Sequence, residues 1–324
     1  MTRKVRWGIL STANIGLTRV VPAMQQAENC EVVAVASRSP EKAQQFAQKL
    51  NIPRAYGSYE ELLADPDIDA IYNPLPNSEH ALWSLRAADA GKPMLCEKPL
   101  ASSAAEAQGM VDGFKAKNIL FAEAFMYRFH PQTQHVIKLL SDGAIGRLTA
   151  MVAAFTFPIS SEDNIRLSAP LAGGALMDVG CYCVNVMRLM AGEEPDRVSA
   201  VAQFGERSGV DETLAGVLGF PSGAVGHFDC SLRTNFRHTY ELRGTEGRIT
   251  VDEAFVMSAD NSTIIRHWHE GDYHEITIPP ANSYTLMAED FADALLNNRA
   301  PRYDPQDGVN NMAVIDRLLA AARM

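Results

Sequence analysis

The chain has 324 residues, 47% of them hydrophobic and 21% charged, with a formal net charge of −10. That length exceeds what one hydrophobic core usually fills, so two domains are expected, and the composition excludes wholesale disorder. An acidic chain without a block of basic residues lacks a phosphate-binding footprint, so no nucleic-acid partner is expected.

Near the start, Met1-Thr2-Arg3-Lys4 leads directly into Val5–Leu10, without the apolar stretch of a secretory leader. From there to about residue 122, short apolar runs alternate with amphipathic stretches. The runs are Val5–Leu10, Val32–Ala36, Ala70–Tyr72, Met94–Cys96 and Ile119–Ala122, with helical stretches such as Pro40–Leu50 and Ser78–Ala90 between them. Near-continuous apolar strands alternating with helices predict a doubly wound parallel sheet of the Rossmann type over residues 1–122. A helix near Gln132–Ser141 follows, and then strands predominate: Leu148–Phe157, Arg197–Phe204, Leu214–Phe220, Ala224–Ser231, Thr239–Arg243, Arg248–Val251 and Thr263–His267. Turns such as Pro221-Ser222-Gly223 join them, as in an antiparallel meander. Helices are expected at Ala175–Ala191, Tyr284–Asn297 and Asp307–Ala322. The fold class is therefore α/β in the first domain and α+β, on a mostly antiparallel sheet, over residues 123–324, with the C-terminal helix able to pack back on the first domain. No apolar run approaches the roughly 20 residues that cross a bilayer, so no membrane partner is expected. Five scattered cysteines (Cys30, Cys96, Cys181, Cys183, Cys230) fit reduced thiols and point to the cytoplasm.

The turn after the first strand reads Ser11-Thr12-Ala13-Asn14-Ile15-Gly16. A dinucleotide fingerprint places glycines there so that backbone N–H groups approach a pyrophosphate; Ser11 and Ala13 stand at the first two glycine positions, and only Gly16 is kept. A plain strand–turn–helix would read the same way. The second strand ends in Ser37-Arg38-Ser39, with no carboxylate before Glu41. An NAD site usually places an acidic residue here, whereas Arg38 suits a 2′-phosphate, so NADP rather than NAD is the expected cofactor. A solvated loop arginine is the alternative. Glu97-Lys98-Pro99 follows Met94-Leu95-Cys96, which puts Lys98 at the carboxyl end of a strand, where open α/β sheets bind ligands, or leaves it a solvated loop residue.

Cys96-Glu97-Lys98-Pro99, the degenerate glycine turn and the two-domain pattern resemble the glucose–fructose oxidoreductase, inositol dehydrogenase and MocA family. Tyr72-Asn73-Pro74-Leu75-Pro76-Asn77 with His80, Glu123–Pro131 and Gly173–Cys183 are similar to its branch of NADP-dependent D-xylose and dimeric dihydrodiol dehydrogenases. The resemblance implies a bound nicotinamide cofactor and an open second-domain sheet that often forms an oligomer interface, giving a homodimer or homotetramer. It implies cofactor contacts from Ser11, Thr12, Ala13, Asn14, Ile15, Ser37, Arg38, Pro74, Leu75, Asn77, His80, Glu97, Lys98 and Arg128. Many members carry Asp-x-Gly-x-x-x-His or the like in the second-domain helix, with histidine as the acid/base; this chain has Tyr182 four residues after Asp178, as the resembling branch does.

Asp178, Tyr182 and Asn185 share one helical face, which can line a cleft or simply be half-buried. Oxidising an alcohol sends hydride to nicotinamide and the hydroxyl proton to a base. Tyrosine titrates near 10, so a neighbouring cation must favour its phenolate, and Lys98 would supply that charge and stabilise the substrate oxygen. Lys98 and Tyr182 are thus the catalytic candidates. Tyr127, Arg166, Asp178 and Tyr182 are the substrate candidates, with His130 and Asn164 nearby; Asp178 can equally be a helix-start residue. His267 and His269 share a strand face without a third ligand in view, and no metal is expected. The expected activity is oxidation of an aldose or a trans-diol. The alternatives are a ketoreductase of a modified or nucleotide-linked sugar, and a dinucleotide-binding regulatory or scaffold protein without turnover.

Overall fold

The computed structural model describes residues 3–324, so Met1 and Thr2, on which the reading of the N-terminus partly rests, lie outside it. The chain forms two compact units: residues up to Met126 with Tyr284–Val309, and Tyr127–Ser283 with Asn310–Met324.

The first unit is built on six parallel strands, β1 (Val5–Leu10), β2 (Cys30–Ala36), β3 (Arg54–Tyr56), β4 (Ala70–Asn73), β5 (Met94–Cys96) and β6 (Phe121–Glu123), in the order β3-β2-β1-β4-β5-β6. The order reverses between β1 and β4, which makes the carboxyl ends of those strands a topological switch point. The central strands β1, β4 and β5 are buried because helices cover the sheet: α1 (Val21–Gln26), α2 (Pro40–Leu50), α3 (Tyr59–Ala64), α4 (Asn77–Asp89) and α5 (Ala104–Ala116). Ser39, Ser58 and Ser103 cap α2, α3 and α5, each accepting the N–H three residues on. Gly8 lets α3 close on β1, since a Cβ there would sit 2.9 Å from Leu62 and 3.0 Å from Ile68. β3, three half-buried residues beginning with an arginine, carries no apolar run and was not expected.

The contiguous division at residues 122 and 123 differs from these units. Helix α8 (Ser283–Leu296) packs on the first sheet: Phe291 lies against Trp7 at 5.2 Å between ring centroids, and Asn29 Nδ2 donates to Glu289 O at 2.9 Å. A helix late in sequence thus completes the first core, while α9 (Gln306–Ala322), the one expected to pack back, belongs mostly to the second unit.

The second unit holds eight strands: β7 (Leu148–Thr156), β8 (Arg197–Phe204), β9 (Asp211–Gly219), β10 (Val225–Ser231), β11 (Arg237–Gly244), β12 (Gly247–Val251), β13 (Thr263–His269) and β14 (Asp272–Ile278). Their order is β14-β13-β12-β11-β7-β10-β9-β8, and only β7 with β10 is parallel. Two meanders, β8–β10 and β11–β14, therefore flank the long β7. Along β8 exposed and half-buried residues alternate throughout, the pattern of a sheet with one open face. The inner face carries α6 (Pro131–Ser141) and α7 (Cys181–Ala191), the latter entered through a π turn at Leu176–Gly180. Asn311 of α9 ties to α7, donating to Cys181 O at 3.2 Å and accepting from Arg188 Nη1 at 3.2 Å. Among the described residues no helix is long and apolar enough to cross a membrane.

Candidate active site

In the first unit the expected residues gather at the carboxyl ends of the strands. Ser11, directly after β1, has φ +96°, the left-handed conformation for which the fingerprint uses glycine. The serine holds it with its side chain: Oγ accepts the Ala13 N–H at 3.2 Å and donates to Pro74 O at 3.4 Å. That second bond joins the ends of β1 and β4 across the switch point. Thr12, Ala13 and Ile15 are half-buried and Asn14 is exposed at the start of the helix that continues through a π turn (Gly16–Val20) into α1. At the end of β2, Ser37 is buried and Arg38 exposed. The nearby carboxylate of Glu41 accepts the Ser39 hydroxyl at 2.8 Å, and burial raises the pKa of Tyr59 against the opposing pull of the Arg38 guanidinium. Arg38 thus stands exposed directly after β2, and the Glu41 carboxylate is held by Ser39.

At the end of β5, Glu97 Oε1 accepts the Tyr72 hydroxyl at 2.5 Å and Oε2 the Lys98 N–H at 3.3 Å. Burial, then the charge of Glu97, raises the Tyr72 pKa, so Tyr72 stays a donor. Lys98 is half-buried, and the peptide to Pro99 is cis. Pro74 and Leu75 are buried on the loop after β4, and Asn77 opens α4 half-buried. His80 is fully buried: its Nε2 lies 2.8 Å from Leu75 O and its Nδ1 3.0 Å from Pro99 O. Burial pushes its pKa down against the pull of those carbonyls.

In the second unit Tyr182, on the first turn of α7, is 5% exposed within an aromatic group. Phe155 and Phe255 each lie 5.3 Å from its ring and Tyr127 lies 5.9 Å away. Tyr127 donates its hydroxyl to Asn185 Oδ1 at 2.6 Å, so the face shared by Tyr182 and Asn185 is fixed on the Tyr127 side. Asp178 sits inside the π turn, and Arg166 Nε donates to its Oδ2 at 2.6 Å. The structure therefore joins Arg166 to Asp178, and Asn164 supports them by accepting the Arg166 N–H at 3.0 Å. The helix start is capped from elsewhere: Asp211 on β9 accepts the Leu176 N–H at 2.7 Å. Burial pushes the Asp211 carboxyl up to about 6, opposed by those backbone donors. Arg128 is 2% exposed. His130 caps α6, its Nδ1 accepting the Gln132 N–H at 3.1 Å, which leaves its proton on Nε2.

His267 Nε2 meets Ala144 O at 2.8 Å, and among the described residues no three His, Cys, Asp or Glu side chains are grouped to hold a metal ion. The residues that sequence reasoning passed over are Tyr72, the partner of Glu97, and Asp211, the cap of the Tyr182 helix. Tyr72 lay inside a quoted motif, whereas nothing near Asp211 in sequence marks it as a cap.

A switch point carrying these strand-end groups, with a second unit built on an open-faced sheet, defines a Rossmann-type oxidoreductase architecture. Residues 5–125 match the model of an oxidoreductase family with an NAD-binding Rossmann fold, and residues 133–250 match the GFO/IDH/MocA C-terminal domain. The chain is 40% identical, over 98% of its length and 97% of the relative's, to a D-xylose 1-dehydrogenase (NADP(+)) of Haloferax volcanii. It is 37% identical to the trans-1,2-dihydrobenzene-1,2-diol dehydrogenase of Mus musculus over 77% of this chain and 75% of that one. A 3-ketoreductase from Actinomadura kijaniata, solved in complex with NADP and TDP-benzene, superposes with a TM-score of 0.94 at 28% identity, covering 98% of each chain. The chain belongs to the GFO/IDH/MocA oxidoreductase family.

Proposed function

We propose that the protein is an NADP-dependent dehydrogenase of an aldose sugar or a related trans-diol, working in the cytoplasm as a homodimer or homotetramer. The observation that carries this reading is the end of β2, where Arg38 is exposed and Glu41 is hydrogen-bonded to Ser39. The exposed guanidinium attracts a 2′-phosphate, and Ser37-Arg38-Ser39 puts no acidic residue directly after the strand, where an NAD site usually places one for the ribose hydroxyl. The left-handed Ser11 turn supports the same cofactor, because it lets the backbone approach a pyrophosphate without a glycine. NADP bound there supplies the hydride acceptor, and NADPH the donor in the reverse direction.

The chain's own residues handle the proton. Tyr182 takes the proton of the substrate hydroxyl, and Lys98 favours the phenolate and stabilises negative charge on the substrate oxygen. Arg166 and Asp178, joined as an ion pair, hydrogen-bond the other hydroxyls of the substrate, and Tyr127 packs beside Tyr182. The xylose dehydrogenase relative supports an aldose as substrate and the diol dehydrogenase relative a trans-diol. The structural likeness to a 3-ketoreductase favours a second reading, reduction of a keto group on a nucleotide-linked sugar. The open outer face of the second sheet, with Val201 at 78% exposure, supports self-association.

A panel of free aldoses, trans-diols and nucleotide-linked keto sugars, assayed with NADP(H) and NAD(H) at the reduced-nicotinamide absorbance band, tests the reading. The expected result is NADP reduction with a free aldose or diol. Turnover confined to nucleotide-linked keto sugars would transfer the assignment to the second reading, and a preference for NAD would contradict the role given to Arg38.

A further inference from the structure

His80 lies four positions into the sequence of α4, with no exposed surface. Its ring bridges two loops. Nε2 faces Leu75 O, on the loop leaving β4, at 2.8 Å, and Nδ1 faces Pro99 O, on the loop leaving β5, at 3.0 Å. β4 and β5 are hydrogen-bonded neighbours, so one imidazole ties two adjacent strand ends together. Pro99 is the residue directly after Lys98. On the other flank, the Lys98 N–H donates to Glu97 Oε2, while Glu97 Oε1 holds the Tyr72 hydroxyl. The backbone that carries Lys98 is thus fixed from both sides: by Tyr72 through Glu97, and by His80 through Pro99.

A ring without exposed surface touches neither substrate nor cofactor; it can act only through the loops it holds. We infer that His80 is a positioning residue, whose Nδ1–H donates to the Pro99 carbonyl and so sets the place from which the Lys98 ammonium acts. The inference rests on the role proposed above for Lys98. A lysine on a loose loop spends part of its interaction energy on being ordered, and an error of about 1 Å in a reacting group can cost about 100-fold in rate. A neutral imidazole carries one N–H and donates to one of the two carbonyls, whereas the imidazolium donates to both; a buried carbonyl left without a donor costs about 1–3 kcal/mol. The contact that the resemblance assigns to His80 and cofactor is then indirect, made by the Leu75 loop that the ring supports.

The test is a double-mutant cycle on the full-length chain with His80→Leu, His80→Gln, Lys98→Met and the combinations. His80→Leu should lower kcat about 10- to 100-fold with the KM for sugar nearly unchanged. His80→Gln, which retains an N–H donor, should recover much of that loss. In the Lys98→Met background neither change at His80 should lower kcat further, because the residue acts through Lys98. An equal loss in both backgrounds, a Gln variant no better than Leu, or an effect on KM alone would overturn the inference. If the Leu variant does not fold, the same comparison runs on Gln: a smaller loss that vanishes beside Lys98→Met supports the proposal, and a loss that persists overturns it. A fully active Lys98→Met enzyme removes the Lys98 reading and this inference with it. An inactive Lys98→Met enzyme beside a fully active His80→Leu enzyme removes this inference alone.

Discussion

Arg38 and Asp211 each carry a prediction that belongs to a single side chain. Arg38 is exposed at the end of β2, so its removal should not disturb the fold. A charge-assisted hydrogen bond contributes about 1.5–3 kcal/mol, so Arg38→Ala should raise the KM for NADP roughly 10- to 100-fold. The kcat/KM with NAD should stay nearly constant, as steady-state assays with both cofactors would show. Asp211 concerns stability. Its carboxyl, buried on β9, titrates at about 6 in the folded protein, above its ordinary value of 3.8. The folded state therefore binds the proton more tightly than the unfolded one. The associated stability is fully present below the ordinary value and is lost as pH rises through about 6, by about 3 kcal/mol at most. Urea unfolding of the wild type should lose that increment between about pH 4 and 7 relative to Asp211→Asn, which cannot ionise. Parallel curves for the two proteins would contradict the shift.

Much of this scale was legible in the sequence because it depends on local order. Ser37-Arg38-Ser39 and Glu97-Lys98-Pro99 follow apolar runs, and a residue after a buried parallel strand must lie at its carboxyl end. Side-chain partners were not legible. Nothing in sequence pairs Tyr72 with Glu97 or sets His80 against Pro99 O, because those contacts arise from strands that meet only in the folded sheet.

The helix of Tyr182 sets the prediction at the scale of an element. Gly180 ends its π turn, and a Cβ there would lie 2.7 Å from Cys230 Sγ on β10 and 2.7 Å from Leu176 Cδ1. Overpacking of this kind costs about 1–3 kcal/mol, which exceeds the roughly 1 kcal/mol gained by replacing a helical glycine. Gly180→Ala should therefore lower the urea midpoint, and adding Cys230→Ala, which makes room, should recover part of the loss. A simple sum of the two single effects would contradict the close approach. The long helices were readable from periodicity, and α2 was expected over Pro40–Leu50 as observed. The π turns, β3 and β14 were not. β14 reads Asp272-Tyr273-His274-Glu275, polar on both faces until its end, so it has the composition of a loop and gains strand form only by pairing with β13.

At the scale of the molecule, the two sheets were foreseeable because strands buried on both faces and strands buried on one face differ in pattern. The insertion of β7 between two meanders and the return of α8 to the first core were not, since the chain order of helices says little about which sheet they cover. The open face of the second sheet presents Val201, Val217 and Val225 at 78%, 42% and 44% exposure on three neighbouring strands. Light scattering after size exclusion should give twice or four times the mass of 35.4 kDa, and Val201→Lys should shift the protein toward the single chain. A wild type that runs as a monomer at all concentrations would contradict that reading.

The central claim is that Lys98 and Tyr182 together handle the substrate proton. Its most direct test is the kcat of Lys98→Met, Tyr182→Phe and the double variant on the best sugar of the panel, with NADPH affinity measured on the same proteins. Removal of a positioned acid–base group costs about 100- to 10,000-fold. The account predicts a loss of that size in each single variant, a double variant hardly worse than either, and NADPH binding close to that of the wild type. Wild-type turnover in either single variant would contradict it.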